Sequence, residues 1–238
     1  MPAVTTPLPK PHSEIVRDHL TKLPVLNWWR RVARVILRWL ARFMVFLWIR
    51  PIIYGLENLP DEGPGLVVSN HLGDADLVLF LAVSPVYLEA VAKVEIYDFP
   101  LIGILFNMYG VIWVHRGHPD RRALRAVIQG LQEGRLIGIA PEARESLTGS
   151  LEEGTGGAAY LALKADVSVI PVTFTGTENW RVFGNMKRFR RTEVTVTIGP
   201  PFRLDKLPDW KEAVERGTEK IMNTLSQQLP PEYRGAYG

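Results

Sequence analysis

Gly65-Leu66-Val67-Val68-Ser69-Asn70-His71-Leu72-Gly73-Asp74-Ala75-Asp76-Leu77-Val78-Leu79-Phe80-Leu81-Ala82 is an apolar run, a polar turn and a second apolar run in succession. Leu66–Ser69 reads as a strand and Asp74–Ala82 as a helix, with His71 in the loop between them. The same alternation continues downstream. Strands are expected at Val86–Ala92, Val111–Val114, Leu136–Ala140, Val167–Phe174 and Glu193–Ile198. Helices are expected at Pro100–Tyr109, Arg121–Glu133, Gly156–Lys164 and Trp210–Leu229. This order implies an α/β domain with a central, largely parallel sheet flanked by helices. In such a domain active-site residues sit at strand ends and in the loops that follow.

The composition agrees with one globular core plus an appendage: 238 residues, 47% hydrophobic and 22% charged. The net charge of +3 favours an anionic partner; phospholipid, nucleic acid and a phosphate-bearing cofactor all fit. The chain has no cysteine, which excludes disulfides, thiolate zinc sites and a cysteine nucleophile. Residues 1–12 are proline-rich without an apolar run and read as a flexible tail, not a secretion signal. Residues 231–238 are expected to be loose.

Residues 26–54 differ in character. Four of the seven tryptophans lie here, and no acid occurs between Asp18 and Glu57. Arg31, Arg34, Arg38 and Arg42 recur at helical spacing and line one stripe. Trp28, Val32, Val35, Ile36, Trp39, Leu40, Phe43 and Leu47 cover the rest. Pro51 should end or kink the helix. A bilayer span needs about 20 mostly apolar residues, and the run between charges here is far shorter. The pattern suits a helix lying in the membrane interface, with arginines on lipid phosphates and tryptophans at headgroup depth. Residues 13–54 therefore form a membrane-associating segment ahead of a domain spanning 55–230.

His71 is the candidate base. Acylating a hydroxyl requires a group that takes its proton as it attacks a thioester, and neutral imidazole does so near pH 7. A carboxylate on the other ring nitrogen fixes the tautomer. On a continuous helix Asp74 lies about 60° round from His71 and Asp76 about 140°. Asp76 serves only if His71 precedes the helix and the loop folds back. Other segments that follow strands fit anion binding: Lys93 with Glu95, Arg116 after Val114-His115, the run Pro141-Glu142-Ala143-Arg144-Glu145-Ser146, and the helix start at Gly154–Ala158. His115 and His118 suit solvated or phosphate-contacting roles.

Taken in order, these segments resemble the 1-acylglycerol-3-phosphate acyltransferase (PlsC-like) family. Asn70, His71 and Asp76 match its first block, Lys93 and Glu95 its Lys-x-Glu element, Gly110 to Arg116 its second block, and Ile170-Pro171-Val172 its fourth. The resemblance implies Asp76 as the partner of His71. It marks Asn70, Lys93, Arg116, Glu142, Arg144, Gly156 and Pro171 as candidate substrate-binding positions. Two departures stand out. His115 replaces an acid in the second block. The third block has Ala143 for the family's glycine and Glu145 for its arginine, with Arg144 one place early. An acid there should repel a phosphate monoester.

The resemblance implies acyl transfer to the sn-2 hydroxyl of lysophosphatidate. Acyl-CoA or acyl-carrier protein is the donor substrate, with no bound cofactor and no metal. The altered third block leaves open another lysophospholipid or an amino-lipid as acceptor. A catalytically silent membrane-binding protein is the alternative of a different class. The expected partners are a phospholipid surface, the lysolipid and the donor, not nucleic acid. The expected place is the cytoplasmic face of the cell membrane.

Overall fold

A computed structural model describes residues 9–117 and 120–238. Most of the expected N-terminal tail, and His118, lie outside the described residues. The elements are α1 (Trp28–Trp48), β1 (Ile49–Tyr54), β2 (Gly65–Ser69), α2 (Ala75–Val83), β3 (Leu88–Lys93), α3 (Ile102–Tyr109), β4 (Ile112–Val114), α4 (Arg121–Gln132), β5 (Leu136–Ile139), α5 (Gly157–Ala165), β6 (Val169–Thr175), α6 (Asn179–Met186), β7 (Thr192–Ile198) and α7 (Trp210–Gln228).

The strands form one sheet in the order β1-β7-β6-β2-β5-β3-β4. β6, β2, β5, β3 and β4 are mutually parallel, as the alternation implied. β7 runs antiparallel to β6, and β1 lies parallel to β7 at the edge. Leu66 and Val68 of β2 pack under α4, α5 and α7 on one face. Val67 packs under α1 and α2 on the other. A strand covered on both faces needs no polar alternation, which is why β2 reads as an unbroken apolar run.

Two elements escaped the sequence pattern. β1 looks like the end of the basic helix, but α1 stops at Trp48, where the Ile49 N–H closes the last turn on the Val45 carbonyl. Residues 49–54 then pair with β7, from Ile49 opposite Thr192 to Tyr54 opposite Thr197. Pro51 therefore lies inside an edge strand, where a missing N–H is tolerated. α6 is short and contains Gly184, which masks its period. The C-terminal segment, expected to be loose, is docked. The Leu151 N–H donates to the Tyr233 carbonyl (2.8 Å) and the Ala236 N–H to the Leu151 carbonyl (3.1 Å). The Tyr233 hydroxyl donates to Glu178 (2.6 Å).

The largest correction concerns α1. Three of the four arginines in its stripe engage the protein and not lipid phosphates, contrary to expectation; Arg31 is exposed and donates to the Leu26 carbonyl (3.2 Å). Arg34 is buried and makes a bidentate pair with Glu89 at 2.9 and 2.8 Å. Arg38 donates to the Pro85 carbonyl and lies 3.7 Å above the Tyr87 ring. Arg42 donates to the Ala82 carbonyl. Ala33, Ala41 and Val45 complete the buried side, while Trp28, Ile36, Trp39, Phe43 and Phe46 are exposed. The helix is amphipathic with its apolar side outward. The physical reason is that Glu89, at the start of β3, needs a buried counter-ion, and the carbonyls around α2 need donors. Among the described residues no helix is long and apolar enough to cross a membrane.

Candidate active site

The parallel strands β2, β5, β3, β4 and β6 end at one edge of the sheet, and the loops beyond them carry the chemistry. Asn70 is buried at the end of β2. Its Nδ2 donates to the Phe174 carbonyl (2.9 Å), and its Oδ1 accepts from the Phe174 N–H (2.8 Å). It therefore clasps β6 and, contrary to the sequence expectation, offers nothing to a substrate. The chain then turns before α2 begins, and this turn decides between the two aspartates. Asp76 Oδ2 accepts from His71 Nδ1 (2.8 Å), from the Leu72 N–H (2.8 Å) and from the Gly73 N–H (3.1 Å). Asp74 is not the partner. Gly73 is required for this turn, because a Cβ there would lie 2.5 Å from the Thr177 carbonyl oxygen.

An acceptor carboxylate on Nδ1 places the imidazole proton there and leaves Nε2 as the basic nitrogen. Nε2 has no hydrogen-bond partner among the described residues, and the side chain is 36% exposed. Burial by itself would lower the His71 pKa. The hydrogen bond and charge of Asp76, with Glu145 and Asp74 behind it, reverse this and hold it above the ordinary imidazole value.

A second His–Asp pair shows what a structural version looks like. His115 Nδ1 lies 2.6 Å from Asp120 Oδ2, at the same sequence separation. Here Nε2 accepts from the Arg17 N–H (2.8 Å), so no basic lone pair remains. His115 is buried, not solvated or free for phosphate as expected. It fastens the N-terminal segment to the end of β4.

The third block wraps beneath His71. The Ser146 N–H donates to the His71 carbonyl (2.7 Å). Glu142 is fully buried and so cannot touch a substrate, against expectation. Neither of its oxygens reaches a hydrogen-bond partner among the described residues. Burial raises its pKa to about 8; the backbone N–H groups of Glu152 and His71 point towards it and only temper the shift. Arg144 is also not free. Its Nε donates to Glu152 (2.6 Å) and its Nη1 to the Pro9 carbonyl (3.0 Å). Glu145 accepts from Asn179 Nδ2 (2.8 Å), and Asn179 Oδ1 accepts from the Asp74 N–H (3.0 Å). Burial raises the Glu145 pKa; His71 and Lys93 oppose this, while Asp74 and Asp76 add to it.

Lys93 and Arg116 keep cations without ion-pair partners among the described residues. Lys93, at the end of β3, is near enough to bear on Glu145. Arg116 Nε is buried without a hydrogen-bond partner among the described residues. The other two candidates lie elsewhere. A Cβ on Gly156 would touch Val214, so the start of α5 faces α7, not His71. Pro171 pairs with Val68 inside the sheet and is core. The β6–β7 ladder advances three residues from Val169 to Val172 against four from Ile198 to Phe202, a bulge that accommodates a residue without an N–H. A cavity of about 510 Å³, lined in part by Arg34, Glu89 and Leu136, opens at the opposite edge of the sheet and is remote from this chemistry.

Residues 50–175, just over half of the chain, match the Acyltransferase family model. The chain belongs to this family. A protein of Borreliella burgdorferi named 1-acyl-sn-glycerol-3-phosphate acyltransferase is 30% identical over 59% of this chain and 58% of its own length. A chloroplastic relative of the same name in Brassica napus is 29% identical over 78% of this chain and 55% of its own. The chain thus spans little more than half the length of these curated relatives. Among solved structures, the 1-acyl-sn-glycerophosphate (LPA) acyltransferase PlsC of Thermotoga maritima superposes with a TM-score of 0.65 at 22% identity, covering 84% of this chain and 80% of that one. That likeness establishes the fold.

At this site the acid Glu145 lies near His71, and Arg144 is engaged by Glu152. Asn179, which ties Glu145 to the His71 loop, was missed from sequence. Its signal was the run Gly176-Thr177-Glu178-Asn179 after a strand, at the sheet edge where His71 emerges.

Proposed function

We propose that the protein transfers a fatty acyl group from acyl-CoA or acyl-carrier protein to the sn-2 hydroxyl of lysophosphatidate, with His71 as general base. The observation that carries this is the His71 Nδ1–Asp76 Oδ2 contact of 2.8 Å with Nε2 left open. In the reaction Nε2 takes the hydroxyl proton and the oxygen attacks the thioester carbonyl. The imidazolium is stabilised by Asp76. As the tetrahedral intermediate collapses, the carbon–sulfur bond breaks and the thiolate takes the proton back from Nε2. A thiol with a pKa of about 8.5 leaves without metal assistance. Lys93 and Arg116 are the candidate contacts for the acceptor phosphate. The relatives named 1-acyl-sn-glycerol-3-phosphate acyltransferase support this acceptor.

Two observations favour a second reading of the acceptor. Arg144 is held by Glu152, and Glu145 stands beside the base. Both suit a headgroup without a phosphate monoester, such as a lysolipid bearing an amine. The outward apolar side of α1 supports a peripheral position on a membrane, at the cytoplasmic face where thioester donors are found.

The test is acyl transfer in vesicles from acyl-CoA and from acyl-carrier protein to lysophosphatidate and to a lysolipid panel. The wild type is compared with His71→Ala. Loss of transfer in a folded variant is expected; normal turnover without His71 would refute the mechanism.

A further inference from the structure

Lys187-Arg188-Phe189-Arg190-Arg191 joins α6 to β7 and places four cations in five positions. Between Glu178 and Asp205 the only acid is Glu193. None of the four cations forms an ion pair among the described residues, and all are exposed.

The turn is firmly built. The N–H groups of Arg188 and Arg190 both donate to the Asn185 carbonyl at 2.9 Å, and the Phe189 N–H donates to the Met186 carbonyl at 3.0 Å. Asn185 Nδ2 donates to Thr192 Oγ1 at 3.0 Å. This shape holds Phe189 at its tip, 89% exposed and at a φ of +53°. A bulky aromatic in the left-handed region is disfavoured by local sterics, and burial gives no compensation here.

The turn is also fastened to the end of α1. Arg191 donates to the Ile49 carbonyl through Nε (3.1 Å) and Nη2 (2.5 Å) and lies 5.7 Å from the Phe46 ring centre. The Phe189 ring centre is 6.4 Å from that of Trp48. Phe189 therefore continues the exposed apolar side of α1, ringed by Lys187, Arg188 and Arg190.

We propose that the α6–β7 turn is a second membrane contact that reads anionic lipid. Its cations meet headgroup phosphates, and Phe189 inserts at headgroup depth beside Phe46. The proposal rests on α1 being the lipid-facing helix. Each unpaired cation near an anionic surface is worth about fivefold in partitioning, so three give roughly a hundredfold.

The experiment is co-sedimentation of the full chain, at low salt, with phosphatidylcholine vesicles and with vesicles containing phosphatidylglycerol as well. The wild type is compared with Lys187→Gln/Arg188→Gln/Arg190→Gln; Arg191 is kept because it holds Ile49. Thermal unfolding confirms that the variant is folded. The expected result is a roughly hundredfold loss on anionic vesicles with unchanged binding to neutral ones, and a wild-type preference that salt removes. Unchanged binding of the variant to anionic vesicles refutes the proposal and leaves the α1 reading standing. Equal losses on both vesicle types also refute it. A wild type that binds neither overturns the α1 reading and this one together.

Discussion

Replacing Glu142 by Gln should change how stability depends on pH far more than it changes the fold. Glu142 is fully buried with both oxygens unpartnered among the described residues, and its pKa is pushed from 4.5 to about 8. Between these values the folded protein keeps a proton that the unfolded chain has lost. Stability from this group is therefore full below the unfolded pKa and falls as pH rises towards the folded one. At about 1.4 kcal/mol per pH unit, the loss between pH 5 and pH 8 is about 3.5 kcal/mol. That is a large fraction of a typical domain's stability. Glutamine has the same shape and no charge to lose. The assay is urea denaturation of wild type and Glu142→Gln at a series of pH values, followed by tryptophan fluorescence. The gap between the two proteins should widen in favour of the variant by about 3.5 kcal/mol from pH 5 to pH 8. Comparing slopes removes any fixed cost of the amide. Parallel pH profiles would refute the reasoning and mean that Glu142 is ionised and well solvated or partnered in solution.

Two further outcomes follow from the same loop. Ala143 adopts a φ of +60°, where an L side chain costs about 1–2 kcal/mol. Ala143→Gly should therefore raise stability by about 1 kcal/mol after the entropy of glycine is subtracted, read as a higher denaturation midpoint; a destabilised variant would disprove strain at this position. Glu145 and Asp74 help hold the His71 pKa up. Because the base must be neutral, the acidic limb of the rate–pH profile should lie above the ordinary imidazole value and move to lower pH in Glu145→Gln. A limb that stays in place would separate Glu145 from the base.

Much of the fold was legible because burial on both sheet faces writes itself as short apolar runs, as in Leu66–Ser69 and Val169–Thr175. β1 was hidden because Ile49–Tyr54 continues the apolar composition of α1. Its strand identity depends on β7, which lies some 140 residues away in the chain. α6 was hidden by its length. The docked C-terminal segment depends on Leu151 and Glu178, which no local pattern connects to Tyr233.

The site divides in the same way. The sequence by itself determined that a histidine stands at a strand end with carboxylates in reach, because strand, turn and helix are local. The resemblance pointed to Asp76, but only the tertiary structure produced the turn, held by Gly73 against Thr177, that brings Asp76 Oδ2 to His71 Nδ1. Charge alone made His115, Arg144 and Arg34 look available. Arg17, Glu152 and Glu89 claim them in the folded chain. Residue type tells which interactions a side chain can make; which partner it takes depends on distant segments that packing brings within hydrogen-bond reach.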